Sequence, residues 1–247
     1  MPSPPARPTA PHTHPAQHDA PTLVLLSGGL DSAVLLAHEA TRGPVLPVYV
    51  AAGLSWEPLE RQMVTAFLET RRSPTLLPLQ TIDLPVGDVY PSGHWAITGR
   101  PPAYDTPDAD VYLVGRNVLL LAKAGVVAAR AGATRVVLGP LAGNPFPDAR
   151  PAFFDAMGQA LSLGLDHRLV VEAPFLSWEK SAVIRRGCEL GVDLARTLSC
   201  MNPVVGDAIA EALPRHCGLC SKCRERRDAF AEAGVADPTP YVHASPR

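Results

Sequence analysis

Short apolar runs alternate with amphipathic stretches along most of the chain. Residues 22–26 (TLVLL) are mostly apolar and are closed by Ser27, Gly28 and Gly29, after which a helical pattern runs over Leu30–Ala40. Residues 45–50 read as a second strand. The stretch 57–69 reads as a helix with Leu59, Met63, Ala66 and Phe67 on one face. Residues 76–79, bracketed by Pro74 and Pro78, read as a short third strand. Beyond a long Pro-, Gly- and Asp-rich stretch at 84–110, the pattern gives a helix at 116–131 and a strand at 135–138. A helix at 151–163 with Phe153, Phe154, Met157 and Leu161 on one face follows, then a strand at 169–171 and a helix at 179–190.

Apolar strands separated by amphipathic helices predict an α/β fold, a parallel twisted sheet with helices on both faces in the Rossmann manner. Such sheets bind ligands beyond the carboxyl ends of their strands, near a switch in strand order. The Ser-Gly-Gly turn after the first strand stands where a ligand is expected. A loop as long as 84–110 is functional or disordered, and its Tyr90, Trp95 and Tyr104 are candidates for stacking on a planar ring.

Composition narrows this picture. A chain of 247 residues, 47% hydrophobic and 19% charged, suits one α/β domain with an appendage. The expected division is a disordered tail at 1–20, an α/β domain at 21–195 and a smaller helical segment at 196–247. A formal charge of −2 gives no global basic field, so nucleic acid is not the expected partner. Arg224, Arg226 and Arg227 read as a solvated helix face. The apolar stretch 111–141 is broken by Arg116, Lys123, Arg130 and Arg135 and cannot span a membrane. The Pro-rich tail has no apolar secretion segment, and its His12, His14 and His18 suggest metal binding by composition alone. A cytoplasmic location is therefore expected, where thiols stay reduced and clustered cysteines point to metal.

The segment Leu26-Ser27-Gly28-Gly29-Leu30-Asp31-Ser32-Ala33-Val34 carries the most chemistry. Paired glycines allow close approach of an anion, and amides at a helix start with the macrodipole behind them favour a phosphate. Ser27 and Ser32 add hydroxyl donors. Asp31 is out of place beside an anion unless it holds Mg²⁺ or orients a nucleotide. The Gly-Lys-Ser/Thr ending of a γ-phosphate-cleaving loop is absent. Near the other end, Cys217-x2-Cys220-x2-Cys223 with Cys200 upstream offers four thiolates for a tetrahedral Zn²⁺. An iron–sulfur cluster is the rival occupant, and His216 can replace one thiol. Cys188, in a helical stretch, reads as a small buried apolar residue.

The SGGxDS loop resembles that of the PP-loop ATP pyrophosphatases. Val114-Gly115-Arg116-Asn117 is similar to a Gly-Arg-Asn segment of one of their families, the 7-cyano-7-deazaguanine synthases. So is the tail that includes Glu172-Ala173-Pro174, Lys180, Thr197-Leu198-Ser199-Cys200, the Cys217–Cys223 run and Asp237-Pro238-Thr239. The resemblance covers about residues 22–241. It implies an adenine nucleotide alpha-hydrolase-like fold and an ATP-dependent carbon–nitrogen ligase of queuosine-precursor synthesis. That enzyme adenylates a carboxylate and converts it with ammonia to a nitrile. It further implies that residues 26–34, with Asn117, surround ATP, and that Asp31, Ser32, Lys180 and Arg116 serve catalysis with Mg²⁺. The family's Gly-Gln-x-His segment is here Ala52-Gly53-Leu54-Ser55-Trp56-Glu57. Its Asp-Tyr-Ser-Gly-Tyr-Pro-Asp-Cys-Arg-Pro stretch is here Gly143-Asn144-Pro145-Phe146-Pro147-Asp148-Ala149-Arg150-Pro151. Trp56, Glu57, Asn144, Asp148 and Arg150 are accordingly the expected small-molecule contacts, and a paralogue acting on another carboxylate or a tRNA base is the alternative. A homodimer is an expectation with no motif behind it.

Overall fold

The computed structural model describes residues 20–205 and 213–244. The expected N-terminal tail with its three histidines lies outside them, Ala20 apart. Five parallel strands, β1 (Thr22–Leu25), β2 (Val45–Ala51), β3 (Gln80–Asp83), β4 (Arg135–Val137) and β5 (Val170–Glu172), form one sheet in the order β3-β2-β1-β4-β5.

The sheet is apolar on both faces because strand side chains alternate. Leu23 and Leu25 of β1 face one way, towards α4 (Arg116–Arg130) and α5 (Pro151–Leu165). Val24 and Leu26 face the other way, towards α1 (Leu30–Ala40), α2 (Glu57–Thr70) and α6 (Lys180–Glu189). Leu23 is fully buried, so truncation to alanine there costs about 2–5 kcal/mol. Arg135, the first residue of β4, bonds Glu39 of α1 at 2.9 Å and Glu172 of β5 at 2.5 Å, tying α1, β4 and β5 together.

The chain leaves β1 towards α1 on one face and leaves β4 towards α5 on the other. A crevice opens between the two loops at this switch in strand order. The C-terminal helix α7 (Ser221–Ala233) packs Ala229 and Phe230 into the same core as Val24 and Val183, so the cysteine-rich segment is joined to the main body.

Four expectations are corrected. The third strand is Gln80–Asp83, not 76–79. Pro78 has no N–H to donate, Leu76 makes only a lone bridge to Val45, and the true edge strand is polar and largely exposed, without an apolar signature. The stretch 84–110 contains a short helix, α3 (Trp95–Thr98), ended by Gly99 in the left-handed region. Arg226 is fully buried, donating to Leu194 O, Thr197, Ser199 and Thr239, and is no solvated face. Cys188 is exposed. No helix among the described residues is long and apolar enough to cross a membrane.

Candidate active site

Gly28 sits at φ 76°, and a Cβ there would lie 2.9 Å from Val64 Cγ2 and 3.3 Å from Glu60 O, so only glycine fits. The loop is braced from inside. Ser32 Oγ donates to Gly29 O at 3.0 Å, and Ser27 N donates to Ser32 Oγ at 3.2 Å. Leu198 N donates to Gly28 O at 2.7 Å, which ties the loop to the segment leading to Cys200. The first amides of α1 have no carbonyl within the helix to bond, and they open towards the crevice with the positive end of the helix dipole.

The crevice is a cleft of about 610 Å³ lined by Ser27, Gly29, Asp31, Arg116, Lys180 and Glu225, among others. A lobe of about 260 Å³ adjoins it, reaching Ser32, Asn117 and Asp148. Asp31 stands in the first turn of α1. Its Oδ2 accepts from Lys180 Nζ at 3.2 Å, while its buried Oδ1 has no protein partner. An orphaned carboxylate oxygen at the floor of a polar cleft fits a cation or a ligand donor. Lys180 begins α6 and also reaches Glu225 Oε1 at 2.5 Å, and Lys222 Nζ bonds Glu225 Oε2 at 2.6 Å. Burial works against the Lys180 charge, but Asp31 and Glu225 outweigh it and hold the ammonium above its usual range. Burial also opposes the Glu225 charge, and the two lysines overcome it, pulling the carboxyl down to about 2.

A depressed carboxyl stabilises the fold above its unfolded pKa and loses that contribution as pH falls towards its folded value. Glu225→Gln is therefore expected to melt lower than the unaltered chain at neutral pH. The gap should close as pH drops from the ordinary carboxylate range towards about 2, read as paired thermal melts.

Arg116 opens α4 behind Gly115, itself at φ 73°, and its buried Nε has no protein partner. Asn117 N donates to Asp148 Oδ2 at 3.0 Å and Asn117 Nδ2 donates to Asp148 O at 2.8 Å, so this pair joins the start of α4 to the loop after β4. Asn144 lines both parts of the cleft and accepts from Phe146 N at 3.0 Å, shaping its own turn. Trp56 lines the cleft and stacks on Trp95, centroids 5.5 Å apart and planes 11° off parallel.

Other expected contacts stand elsewhere. Leu26, Ala33 and Val34 are core side chains. Glu57 accepts from Gly53 N at 2.6 Å and Leu54 N at 3.3 Å, holding the loop after β2, and Arg150 is exposed at the start of α5. Neither lines the cleft. Tyr90 donates to Val114 O at 3.0 Å beside a small apolar pocket, and Tyr104 lies 6.0 Å from the Arg224 guanidinium. Sequence reasoning missed the cleft carboxylates Glu60, Glu179, Glu225, Asp228 and Glu232, of which Glu60 packs on Gly28 and Glu225 bonds Lys180. Glu60 is three and four residues before the buried Met63 and Val64, so an acid on the apolar face of α2 was the available signal.

Cys200, Cys217, Cys220 and Cys223 are buried, and their sulfurs lie within 4.8 Å of one another. Sγ–Sγ separations of 3.9, 3.9 and 3.5 Å are close to the edge of about 3.8 Å that bonds of about 2.3 Å give a tetrahedral zinc. Asn202 N and Cys217 N each donate to Cys200 Sγ at 3.3 Å, and Leu219 N donates to Cys217 Sγ at 3.3 Å, as suits thiolates. The shell fits a metal such as zinc. Leu198, Cys200 and Met201 also form a wall of the cleft, so the knot is continuous with the site.

A parallel sheet with a serine–glycine loop, a first-turn aspartate and a cation at its switch point defines a nucleotide-binding α/β protein of the PP-loop class. The family model for queuosine biosynthesis protein QueC matches residues 21–234, and the chain belongs to that family. It is 35% identical over 243 residues to a 7-cyano-7-deazaguanine synthase of Kineococcus radiotolerans, covering 90% of this chain and 98% of the relative. It is 34% identical over 233 residues to a synthase of the same name from Thiobacillus denitrificans, covering 89% and 97%.

Proposed function

We propose that the chain is an ATP-dependent 7-cyano-7-deazaguanine synthase, activating a heterocyclic carboxylate as its adenylate and converting it with ammonia to the nitrile. Family membership supports the reaction. The observation that carries the chemistry is the unpartnered Asp31 Oδ1 beside the Lys180 ammonium at the mouth of the Ser27–Gly29 loop. A carboxylate oxygen is a poor leaving group, and transfer of AMP to it makes it a good one. The loop amides and Ser27 receive the pyrophosphate, while Lys180 and Arg116 neutralise charge as the α–β phosphate bond breaks; this is positioning and electrostatics. Asp31 Oδ1 is the protein oxygen offered to Mg²⁺, which when bound supplies charge to the phosphates. Asn117 and Asp148 fix the start of α4 so that Arg116 faces the cleft. The reduced, metal-ready thiols accord with a cytoplasmic enzyme.

The Trp56–Trp95 stack offers a flat wall to a purine-like ring. Ring stacking is worth about 0.5–1.5 kcal/mol. Trp56→Ala is expected to raise KM for the acid about tenfold with a smaller effect on kcat, in steady-state kinetics at saturating ATP.

The test of the reading is isotopic. With heavy oxygen in the carboxylate of 7-carboxy-7-deazaguanine, adenylation carries the label into the phosphate of AMP. Labelled AMP is the expected product, and AMP without label, formed from ATP and water alone, refutes the activation.

A further inference from the structure

One buried titratable group in the cleft has no task in phosphate chemistry. Glu60 lies in the first turn of α2, 9% exposed, on the same cleft wall as Trp56 and Arg116. It is pressed against the phosphate loop: its Cγ lies 3.4 Å from where a Gly28 Cβ would stand. Tyr49 of β2, itself buried, donates its phenol to Glu60 Oε2 at 2.7 Å. Among the acids near the loop, Asp31 is paired with Lys180 and Glu225 with Lys180 and Lys222, while Asp148 of the adjoining lobe is held by Asn117 N at the start of α4. Glu60 accepts instead from a neutral donor, the phenol of Tyr49. It is therefore the carboxylate best able to take a proton beside the reacting centre.

We propose, resting on the nitrile-forming reading above, that Glu60 is the proton acceptor of the amination steps. In the first step the nitrogen of ammonia forms the C–N bond to the acyl adenylate. One N–H proton passes to the Glu60 carboxylate, and the C–O bond to AMP breaks with its electron pair leaving on AMP. The amide oxygen then displaces pyrophosphate from a second ATP and the nitrogen releases one proton to solvent, leaving an O-adenylated imidate. In the last step the imidate gives up its remaining N–H proton to the same carboxylate. The nitrogen pair closes the triple bond, and AMP leaves again with the C–O pair. The proton is returned to solvent between steps, and no redox partner is needed.

The surroundings tune Glu60 for this. Burial pushes its carboxyl up, while the Arg116 charge, the Tyr49 bond and the neighbouring Trp56 side chain pull back and Glu57 adds a rise, leaving it at about 7. From β2 it faces Tyr49, whose phenol is pushed far above its usual range and stays a donor. From α4 it faces Arg116, from its own helix Glu57, and across the cleft Asp31 and Lys180. An acceptor near the working pH is the efficient choice.

The test compares two partial reactions in the full chain. Glu60→Gln is expected to keep acid-dependent exchange of pyrophosphate into ATP near the unaltered rate, while nitrile formation falls about 10²–10⁴-fold. Its acid limb near pH 7 disappears. Hydroxylamine, less basic than ammonia and neutral at that pH, restores acyl transfer as the hydroxamate. Tyr49→Phe removes a bond to the charged form and moves the limb to higher pH, and it carries the test if Glu60→Gln does not fold. Parallel loss of exchange and nitrile formation, or an unmoved acid limb, overturns the assignment of Glu60 alone. Absence of acid-dependent exchange in the unaltered chain overturns the adenylation reading and this assignment with it.

Discussion

Asp31→Ala is expected to reduce AMP formation by about 10²-fold or more while the fold and metal content stay intact, the scale of losing one electrostatic group at a reaction centre. The side chain is 26% exposed in the first turn of α1, where alanine is a good helix former, so the helix survives. What disappears is specific. The buried carboxylate oxygen Asp31 Oδ1, without a protein partner, is gone, and Lys180 is left to Glu225. Circular dichroism and elemental analysis beside an AMP assay separate this from unfolding. Unchanged AMP formation removes Asp31 from the chemistry.

Removing the metal is the second large perturbation. About one zinc per chain is expected by elemental analysis, and Cys223→Ser, at a position with no solvent exposure, is expected to lose it. Structural zinc contributes about 10–16 kcal/mol in small peptides, comparable to or above the whole stability of a domain. Chelation should therefore loosen the segment around Cys200 and the start of α7. It takes with it the cleft wall formed by Leu198, Met201 and Glu225, so AMP formation falls. Proteolysis confined to that segment, reversed by zinc, is the expected signature. Stoichiometric iron with a visible absorbance band would contradict the zinc assignment.

The loop, Arg116 and the cysteine knot were legible because each is a local pattern: adjacent residues on one turn, or ligands at fixed spacing. The sheet was legible from apolar runs, except β3, where an edge strand needs no apolar face. Tertiary burial hid the rest. Arg226 looks like one charge in a basic run, yet four oxygens from distant segments surround it. Cys188 looks apolar on a helix but its side faces solvent. Glu60 and Glu225 are ordinary helix acids in the sequence. Only the approach of α2 to Gly28, and of α7 to Lys180, brings them into the cleft.

The most direct measurement is a single incubation with ATP, Mg²⁺, ammonium and 7-carboxy-7-deazaguanine, reading AMP and the nitrile together by mass spectrometry. The prediction is that both appear, that AMP requires the acid, and that one AMP is released for each of the two activations behind every nitrile. A protein that holds its metal and binds ATP but forms neither product from this acid would contradict the assignment of substrate.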